Sequence, residues 1–520
     1  MSNECIAAER GAARPRATRR EWVGLAVLSL PCLLYSMDLT VLNLAVPHLS
    51  ADLQPTSAQL LWIIDIYGFL IAGSLITMGT LGDRIGRRRL LLIGATAFGI
   101  ASLLAAFSTS AAMLIAARAV LGIAAATLAP STLSLLRTMF HDPTQRRFAI
   151  GVWIASFSAG GAIGPLVGGL LLAHFWWGSV FLIAVPVMLL LLLLGPSLLP
   201  EYRDPTAGRL DLASAGLSLV AVLAVIYGIK QLAVEGPAGL SLPAILIGVV
   251  IGLVFLRRQR RLAAPLIDLG LFRAPAFSAS LAINVVGFFV AFAAFLFIAQ
   301  YLQLVLGMGP LEAGLWTAPS GLAFVAGSLL TPAIAARLRP GSVMAGGFLL
   351  AAAGFLLLTW VDAPNQVAVA VTGYVVFSLG LAPVVTMTTD LIITAAPPER
   401  AGTASGIAET STEFGGALGI AVLGSIVTAV YRSVIAGGLP ADITAEAALA
   451  AEDTLGGALA AATHLPSRLG AELIDVARDA FAQAFQVSAV ICVIAVLAAA
   501  LLSITALRRI GDEAGGNPNP

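Results

Sequence analysis

Charged residues are scarce in this chain of 520 residues, because Asp, Glu, Lys and Arg together make up only 11% of the sequence. Hydrophobic residues make up 59%, and the mean hydropathy is +0.95. A soluble protein cannot bury so much apolar surface. The composition therefore excludes an ordinary soluble domain and predicts an all-α polytopic membrane protein.

Lysine and cysteine are also rare. Lys230 is the only lysine against 28 arginines, which we attribute to the base composition of the genome. Cys5, Cys32 and Cys492 fall in a tail and in two apolar segments, so they predict no disulfide framework. Residues 1–21 are rich in arginine but lack the apolar core and cleavage site of a signal peptide, and we interpret them as a cytoplasmic tail.

Long apolar runs fill most of the remaining sequence. A membrane-spanning helix needs roughly 20 apolar residues, and fourteen stretches of the chain meet this requirement. Their approximate bounds are 22–46, 59–80, 90–108, 111–136, 147–172, 177–199, 210–230, 240–256, 275–304, 312–336, 341–361, 366–395, 403–430 and 484–507.

The arginines test this count, since the cytoplasmic loops of membrane proteins carry an excess of Arg and Lys. With fourteen spans and a cytoplasmic N-terminus, the short outer loops receive only Lys230. The C-terminal tail, 508–520, is then cytoplasmic as well. The predicted cytoplasmic arginines are Arg84, Arg87, Arg88, Arg89, Arg137, Arg146, Arg147, Arg203, Arg209, Arg257, Arg258, Arg260, Arg261, Arg273, Arg337, Arg339, Arg400, Arg508 and Arg509.

Residues 431–483 form an unusually long outer loop in this topology, and acids outnumber bases in it. The patterns of 441–457 and 466–482 predict two short amphipathic helices around a turn. Such a segment is either a solvated, ordered loop or a lid beside the outer mouth of a cavity. The sequence leaves both interpretations open.

The loop between the second and third spans contains the motif Gly-Thr-Leu-Gly-Asp-Arg-Ile-Gly-Arg-Arg-Arg at residues 79–89. Its glycines allow a tight turn and a close approach of helices. Asp83 is suited to cap a helix N-terminus or to pair with an arginine. The candidate residues of this latch motif are Gly79, Asp83, Arg84, Gly86, Arg87 and Arg88.

The fifth span contains a second motif, Gly-Gly-Ala-Ile-Gly-Pro-Leu-Val-Gly-Gly, at residues 160–169. Small residues let helix backbones pack closely, and Pro165 removes a backbone hydrogen bond and permits a bend. The segment lacks the Lys-Ser/Thr pair of a nucleotide-binding P-loop. Its candidate residues are Gly160, Gly164, Pro165, Gly168 and Gly169.

The first motif resembles the signature between helices 2 and 3 of the major facilitator superfamily, and the second resembles the antiporter signature of its drug exporters. Residues 38–47 resemble helix 1 of the fourteen-helix drug:proton antiporters. Residues 408–419 resemble helix 13 of their branch that exports quaternary ammonium compounds. The resemblance covers residues 22–507.

This resemblance implies a major facilitator fold with 14 transmembrane helices (6+2+6): six-helix bundles at 22–199 and 275–507 would flank an inserted helix pair at 210–256. In this fold each bundle is built from inverted repeats, and the cavity lies between the bundles. Some family members carry an acid in helix 10 that is associated with divalent cations. Residues 318–326 contain none, so the resemblance does not extend to that property.

Charged residues within the spans are the leading candidates for function, because a charge at membrane depth costs several kcal/mol. At about 1.5 Å per residue, Asp38, Asp65 and Arg118 lie about 12, 9 and 10 Å from the outer ends of their helices. We interpret Asp38, with Asp65, as a proton-coupling and cation-binding site. Arg118 is their charge partner, or alternatively it neutralises one of them in a purely structural pair.

The thirteenth span carries a second acidic candidate site. Glu409 and Glu413 are four residues apart and therefore share one helix face. We interpret Glu413, which lies deeper, as a proton-coupling and cation-binding residue. Glu409 belongs to the same site or is a helix-terminus residue. Asp390 is interpreted as a structural pairing group.

Aromatic residues are spaced to form stripes on two spans, with Trp153 and Phe157 on the fifth and Phe288 and Phe292 on the ninth. Because an aromatic face attracts a cation, these rings are candidates to line a drug cavity. Similar stripes also occur as core or lipid-facing packing, and the sequence does not distinguish the two.

Together these features predict a proton-coupled antiporter that exports lipophilic cations, such as quaternary ammonium compounds, from the bacterial cytoplasmic (inner) membrane. The predicted partners are the lipid bilayer, the cations and protons, and the chain is expected to be a monomer. No nucleic acid, metal, cofactor or enzymatic activity is predicted. Two alternatives stay open: an exporter of an endogenous metabolite or self-made antibiotic, and a uniporter or channel without proton coupling.

Overall fold

The computed structural model describes residues 16–55, 57–203, 211–235, 239–262, 265–361, 366–440 and 442–507. The predicted tail 508–520 and most of the predicted tail 1–21 lie outside these ranges. The described residues form helices joined by short connections, with no β-strand among them. The predicted all-α class is therefore confirmed.

The helices are numbered in chain order. Their bounds are α1 Arg19–Leu53, α2 Ser57–Ile85, α3 Arg87–Ala106, α4 Ala111–Met139, α5 Pro143–His174, α6 Ser179–Leu198, α7 Leu212–Glu235, α8 Ser241–Gln259, α9 Pro275–Gln300, α10 Pro310–Ala335, α11 Pro340–Leu358, α12 Val367–Ala395, α13 Ala401–Gly438, α14 Ala445–Asp453, α15 Leu455–Ala462 and α16 Ser467–Leu507. α6 is interrupted at Ile183, and α9 continues as one π-helical turn over Tyr301–Val305.

Local sequence determines several helix ends. The side chain of Ser110 accepts a hydrogen bond from Met113 N and so caps α4. Asp142 caps α5 in the same way and is followed by a proline at the first helical position. Gly86 has a φ of +110°, which favours glycine, and it separates α2 from α3.

Thirteen helices within the described residues are long and apolar enough to cross a membrane. They are α2 to α13 and α16, and each coincides with a predicted span. α1 covers the predicted span 22–46 but is not among the thirteen. The number of fourteen spans therefore stays a prediction.

The outer loop predicted at 431–483 is shorter in the structure. α13 continues to Gly438 and α16 begins at Ser467, so the connection is 439–466 and contains α14 and α15. The predicted amphipathic segment 466–482 is the first part of α16 and not a separate helix. Hydropathy marks where a helix leaves the apolar layer, whereas the helix itself continues for several turns.

Residues 439–440 and 442–483 form a helical cap, and its buried side chains are continuous with the main hydrophobic core. α16 has 41 residues, which corresponds to about 60 Å, twice the thickness of a bilayer core of about 30 Å. Leu455, Ala458 and Leu473 are buried within the cap. Tyr431 Oη donates to the Ala451 carbonyl O at 2.9 Å and ties the cap to α13.

The long helices pack in two groups. α1 to α6 pack against one another, and α9 to α13 pack against one another and against α16. We call these groups the N-terminal half and the C-terminal half. α7 and α8 form a pair, in which α7 also contacts α2 and α13. The two halves meet through α2 and α4 against α13, and through α5 against α10 and α12.

Candidate functional site

The two halves touch along their backbones at the arginine-rich end, which we define as the end where α2 leads into α3 and α13 begins. A Cβ atom added at Gly79 would lie 2.3 Å from the carbonyl O of Gly402. One added at Gly406 would lie 2.6 Å from the carbonyl O of Leu75. Glycine at these positions therefore allows α2 and α13 to cross in direct contact.

Asp83 of the latch motif binds the N-terminus of α13. Its carboxylate accepts hydrogen bonds from Gly402 N and Thr403 N, both at 2.9 Å, and from Thr403 Oγ1 at 3.2 Å. It also pairs with Arg87 at 3.1 Å. Asp83 thus caps a helix of the opposite half, where the helix dipole favours a negative charge, and pairs with an arginine of its own half.

The arginines of the motif differ in the groups to which they donate hydrogen bonds. Arg87 is 2% exposed and donates to Thr138 Oγ1 at 3.1 Å and to the carbonyl O of Pro398, so it also joins the two halves. Arg88 donates to the carbonyl O of Pro196 and of Leu199, each at 3.0 Å, and stays within the N-terminal half. Arg84 lies in the last turn of α2.

Further arginines join the halves at the same end. Arg146 and Arg147 of α5 pair with Asp390 of α12 at 2.9 and 3.2 Å. Asp390 therefore forms ion pairs that join the two halves. Arg137 of α4 donates to the carbonyl O atoms of Ile393 and Ala396 at 2.5 and 2.7 Å. These contacts close the arginine-rich end between the halves.

The glycines of the second motif set the packing of α5 on α1. A Cβ atom at Gly160 would lie 2.2 Å from the carbonyl O of Leu33, and one at Gly168 would lie 2.8 Å from Val41 Cγ1. Gly169 has open space at its Cβ position, so packing does not require glycine there. Gly164 is buried, and the side-chain contacts of Pro165 lie outside the described part.

Asp38 forms an ion pair with Arg118 of α4. Arg118 Nε also donates to the Ile63 carbonyl O at 3.1 Å, and the guanidinium lies 4.5 Å from the centroid of the Tyr67 ring. The Arg118 side chain is 1% exposed and that of Asp38 is 15% exposed. The arginine is fixed by several partners, whereas its carboxylate partner is partly open. The side-chain contacts of Asp65, on α2, lie outside the described part.

Asp38 also borders a narrow cavity of about 20 Å³ between α1, α3 and α6. Such a volume holds about one water molecule. Phe98 and Phe181 form apolar walls, and Ser102 is the polar group that faces the cavity with Asp38. The structure therefore leaves room for a small polar partner beside this carboxylate.

Glu409 and Glu413 lie one turn apart on α13, and both are half-buried. Tyr35 Oη donates to Glu413 Oε1 at 3.3 Å. Tyr35 belongs to α1, one turn before Asp38, and is buried. This hydrogen bond connects a carboxylate of the C-terminal half to the helix of the N-terminal half that carries the other carboxylate.

Tyr35 is part of an aromatic cluster with Tyr67, Phe157 and Trp153. The ring centroids are 6.3 Å apart for Tyr35 and Tyr67, 5.4 Å for Tyr35 and Phe157, and 4.8 Å for Trp153 and Phe157. Trp153 is buried and donates to Thr132 Oγ1 at 2.9 Å, so it is also a packing residue. The structure brings Phe157 and Trp153 together beside the tyrosine that binds Glu413.

Phe288 and Phe292 form a pair on α9, with ring centroids 6.1 Å apart. Phe292 is 37% exposed. A Cβ atom at Gly416 would lie 2.8 Å from its ring, so Phe292 packs directly on α13. Gly416 follows Glu413 by three residues and shares its helix face, which places this ring near the acidic site.

Asn284 of α9 is not among the residues predicted from the sequence. Asn284 is 4% exposed, and its Nδ2 donates to Ser411 Oγ at 2.8 Å and to Thr412 Oγ1 at 3.1 Å. Thr388 Oγ1 donates to its Oδ1 at 3.2 Å. This network joins α9, α12 and α13 beside Glu409 and Glu413. A buried amide within an apolar span is a signal that could have identified it.

Comparison with known proteins agrees with this architecture. The sequence model of the Major Facilitator Superfamily matches residues 28–420. The chain belongs to the major facilitator superfamily. The family predicted from the two motifs is thus confirmed, and so is the assignment as a transporter and not an enzyme.

Two relatives are similar in sequence to this chain over most of its length. It is 44% identical to the multidrug efflux pump LfrA of Mycolicibacterium smegmatis, over 95% of this chain and 98% of LfrA. It is 36% identical to the methyl viologen resistance protein SmvA of Salmonella typhimurium, over 89% of this chain and 93% of SmvA.

A solved structure shows the same fold. The human organic anion transporter MFSD10 (TETRAN) superposes with a TM-score of 0.59, over 92% of this chain and 99% of that chain. The two sequences are 16% identical, so this similarity shows the fold alone. The superfamily fold predicted from the sequence is confirmed.

Proposed function

We propose that this transporter is a proton-coupled antiporter that exports lipophilic cations. Its relatives support an export function, since LfrA is a multidrug efflux pump and SmvA is a methyl viologen resistance protein. Within the chain, partly buried carboxylates in both halves support a cationic cargo and coupling to protons. Carboxylates at membrane depth are costly and are retained where they bind ions or protons.

The proposed topology has fourteen spans, with α1 as the first and the helix pair α7–α8 inserted between two six-helix bundles. Because cytoplasmic loops are enriched in arginine, the arginine-rich end faces the cytoplasm and the helical cap lies outside. Both termini are then cytoplasmic. The protein acts as a monomer in the bacterial inner membrane.

The observation that most directly supports the mechanism is the hydrogen bond from Tyr35 to Glu413 at 3.3 Å. It links the acidic face of α13 to α1, where Asp38 pairs with Arg118. The two carboxylate sites, one in each half, are thereby connected at the interface of the halves. A cation bound at this interface would contact both halves and would be passed across the membrane as they rock.

Competition at these carboxylates provides the coupling. A proton and an organic cation each neutralise a carboxylate in a medium of low dielectric constant, so binding of one favours release of the other. The rings of Phe157 and Phe292 add cation–π attraction for the cargo. Lipophilic cations fit this site because their apolar surface tolerates the environment that penalises a small hydrated ion.

Closure at the arginine-rich end provides the conformational step. Asp83, Arg87, Arg137, Arg146 and Arg147 bind the opposite half there. In the proposed topology the structure is therefore closed toward the cytoplasm. Cargo entry from that side requires these contacts to open, and outward release requires them to form again.

Divalent cargo is a further part of the proposal. Methyl viologen is an organic dication, and SmvA is a resistance protein for it. This chain lacks an acid in residues 318–326, but Glu409 and Glu413 place two carboxylates on one face of α13. We propose that dications use both carboxylates of this pair, whereas monovalent cations use Asp38 and Glu413.

Reconstituted vesicles test the proposed function. Vesicles that contain the purified protein would be given a gradient of a lipophilic cation. A pH-sensitive dye would report proton movement across the vesicle membrane. The proposal predicts proton flux opposite in direction to the cation. Cation movement without proton flux would instead establish a uniporter or channel. Absence of transport for varied cations, together with transport of neutral or anionic compounds, would indicate a different cargo.

A further inference from the structure

The helix α8 is connected to α9 by a linker, of which the structure describes residues 260–262 and 265–274. This linker packs closely against the neighbouring helices. Gln259, at the end of α8, is 3% exposed. Its Oε1 accepts from Leu266 N at 2.6 Å, and its Nε2 donates to Ser214 Oγ of α7 at 2.7 Å. One buried amide therefore binds the linker backbone to both helices of the pair.

The same linker also contacts both halves at the arginine-rich end. Thr80 Oγ1 of α2 donates to the Leu266 carbonyl O at 3.1 Å. Asp268 pairs with Arg400, directly before α13, at 3.0 Å. Leu271 is buried in an apolar cluster with Phe277. The linker therefore has a defined position beside the crossing of α2 and α13.

A pocket of about 830 Å³ lies between the end of α8 and this linker. Typical ligand pockets measure about 300–1,000 Å³. Arg260 and Arg273 both line it, and both are exposed. Neither guanidinium group has a hydrogen-bond or ion-pair partner among the residues that the structure describes. Leu256 and Phe272 add apolar surface, and Phe272 is 40% exposed.

We propose that this pocket binds the phosphate of an anionic phospholipid. Two free guanidinium groups are suited to phosphate, which arginine binds through paired N–H groups. The apolar surface of Leu256 and Phe272 suits the start of an acyl chain. The carboxylate in the pocket, Asp268, is already bound to Arg400 and to Gly270 N, so its charge is compensated.

The position of the pocket supports a lipid over a phosphate from solution. It lies at the arginine-rich end of the spans, where headgroups of the cytoplasmic leaflet are found if the proposed topology holds. Basic pockets between helices on this side commonly bind anionic headgroups. The inference shares only this orientation with the proposed transport activity.

Lipid binding to the full-length protein tests the inference. Phosphatidylcholine vesicles would contain spin-labelled phosphatidylglycerol, and paramagnetic resonance would measure the immobilised lipid. The variant Arg260→Gln/Arg273→Gln is expected to bind phosphatidylglycerol roughly tenfold more weakly than the wild type. The matched control Arg257→Gln/Arg261→Gln removes the same charge at the same helix end, outside the pocket, and is expected to bind as the wild type does.

The outcomes separate the possible ligands. An equal loss in both double variants would overturn the proposal in favour of diffuse surface attraction. Displacement of phosphatidylglycerol by millimolar inorganic phosphate would show a site for free phosphate and would also overturn it. Cation efflux by the wild type in the same vesicles is scored separately, so lack of transport with specific lipid binding would contradict the proposed function alone.

Discussion

Asp38 and Arg118 differ in how tightly their surroundings hold them. Arg118 is bound by a backbone carbonyl and an aromatic ring as well as by Asp38. Asp38 is partly open and borders a small cavity. A fixed cation beside a more accessible carboxylate is the arrangement that we expect where the carboxylate is proposed to exchange protons or cations.

The variant Asp38→Asn should lose export of monovalent lipophilic cations by at least about tenfold, which corresponds to about 1.4 kcal/mol. Because a buried arginine without its partner is costly, the single variant confounds function with stability. The double variant Asp38→Asn/Arg118→Gln removes that penalty. Efflux of a fluorescent monovalent cation, normalised to protein inserted in the membrane, should stay low in both. Recovery of efflux in the double variant would show that the pair is purely structural.

Tyr35 and Tyr67 form a matched pair for a second experiment. Both are buried tyrosines in one cluster. Tyr35 Oη donates to Glu413, whereas Tyr67 Oη has no hydrogen-bond partner among the described residues. Tyr35→Phe should slow cation-coupled proton transport several-fold, and Tyr67→Phe should leave it nearly unchanged. Turnover in vesicles measures both, and equal effects would exclude a specific role of the Tyr35 hydroxyl.

The charged candidate residues could be selected from the sequence, whereas their neutral partners could not. Asp38, Arg118 and Glu413 are conspicuous because charges are rare within apolar spans. Tyr35 and Asn284 are not, since hydroxyl and amide groups are tolerated in spans where a neighbouring helix satisfies them. Tyr35 is 378 residues away from Glu413 in the chain. Only the packing of the halves reveals such a partner.

Asp83 of α2 binds the N-terminus of α13, a helix of the opposite half. It caps α13 through two backbone N–H groups and one hydroxyl. The motif indicated a cap or an ion pair, and the structure contains both. The identity of the capped helix could not be derived from the motif, because it depends on which conformation brings α2 and α13 together.

Asp83→Asn should therefore slow transport more than it weakens cargo binding. The substitution preserves the shape of the side chain. It removes the negative charge that stabilises the N-terminus of α13 and pairs with Arg87. Arg88→Ala is the control, since the Arg88 contacts with Pro196 and Leu199 stay within one half. Cation affinity by fluorescence titration and turnover in vesicles would be compared. Weaker binding with an unchanged turnover rate would refute a role in the conformational equilibrium.

The helical cap shows why span ends are hard to derive from sequence. Hydropathy places the last two spans near 403–430 and 484–507, and thirteen of the helices coincide with predicted spans in this way. α13 and α16 nevertheless continue well beyond those limits. In these extensions the helices are stabilised by contacts within the cap, such as the hydrogen bond from Tyr431 to Ala451. Those contacts leave little periodic signal in a small, alanine-rich segment.

The two halves are joined at the arginine-rich end and are connected deeper in the bundle through Tyr35 and Glu413. The superfamily fold could be predicted from two motifs and the apolar runs. The closed arrangement of the arginine-rich end could not, because a transporter sequence must be compatible with several arrangements of the same helices. The contacts of Asp83, Arg137 and Asp390 identify which arrangement this structure represents.

In the proposed mechanism, cation binding displaces protons from carboxylates in both halves. Drug-induced proton release from the purified protein measures this directly in the wild type, Asp38→Asn, Glu409→Gln and Glu413→Gln. The wild type should release protons when a lipophilic cation is added. Asp38→Asn and Glu413→Gln should each release clearly fewer, and Glu409→Gln should be milder for monovalent cargo. Release from Glu413→Gln equal to that of the wild type would contradict a titrating site in the C-terminal half.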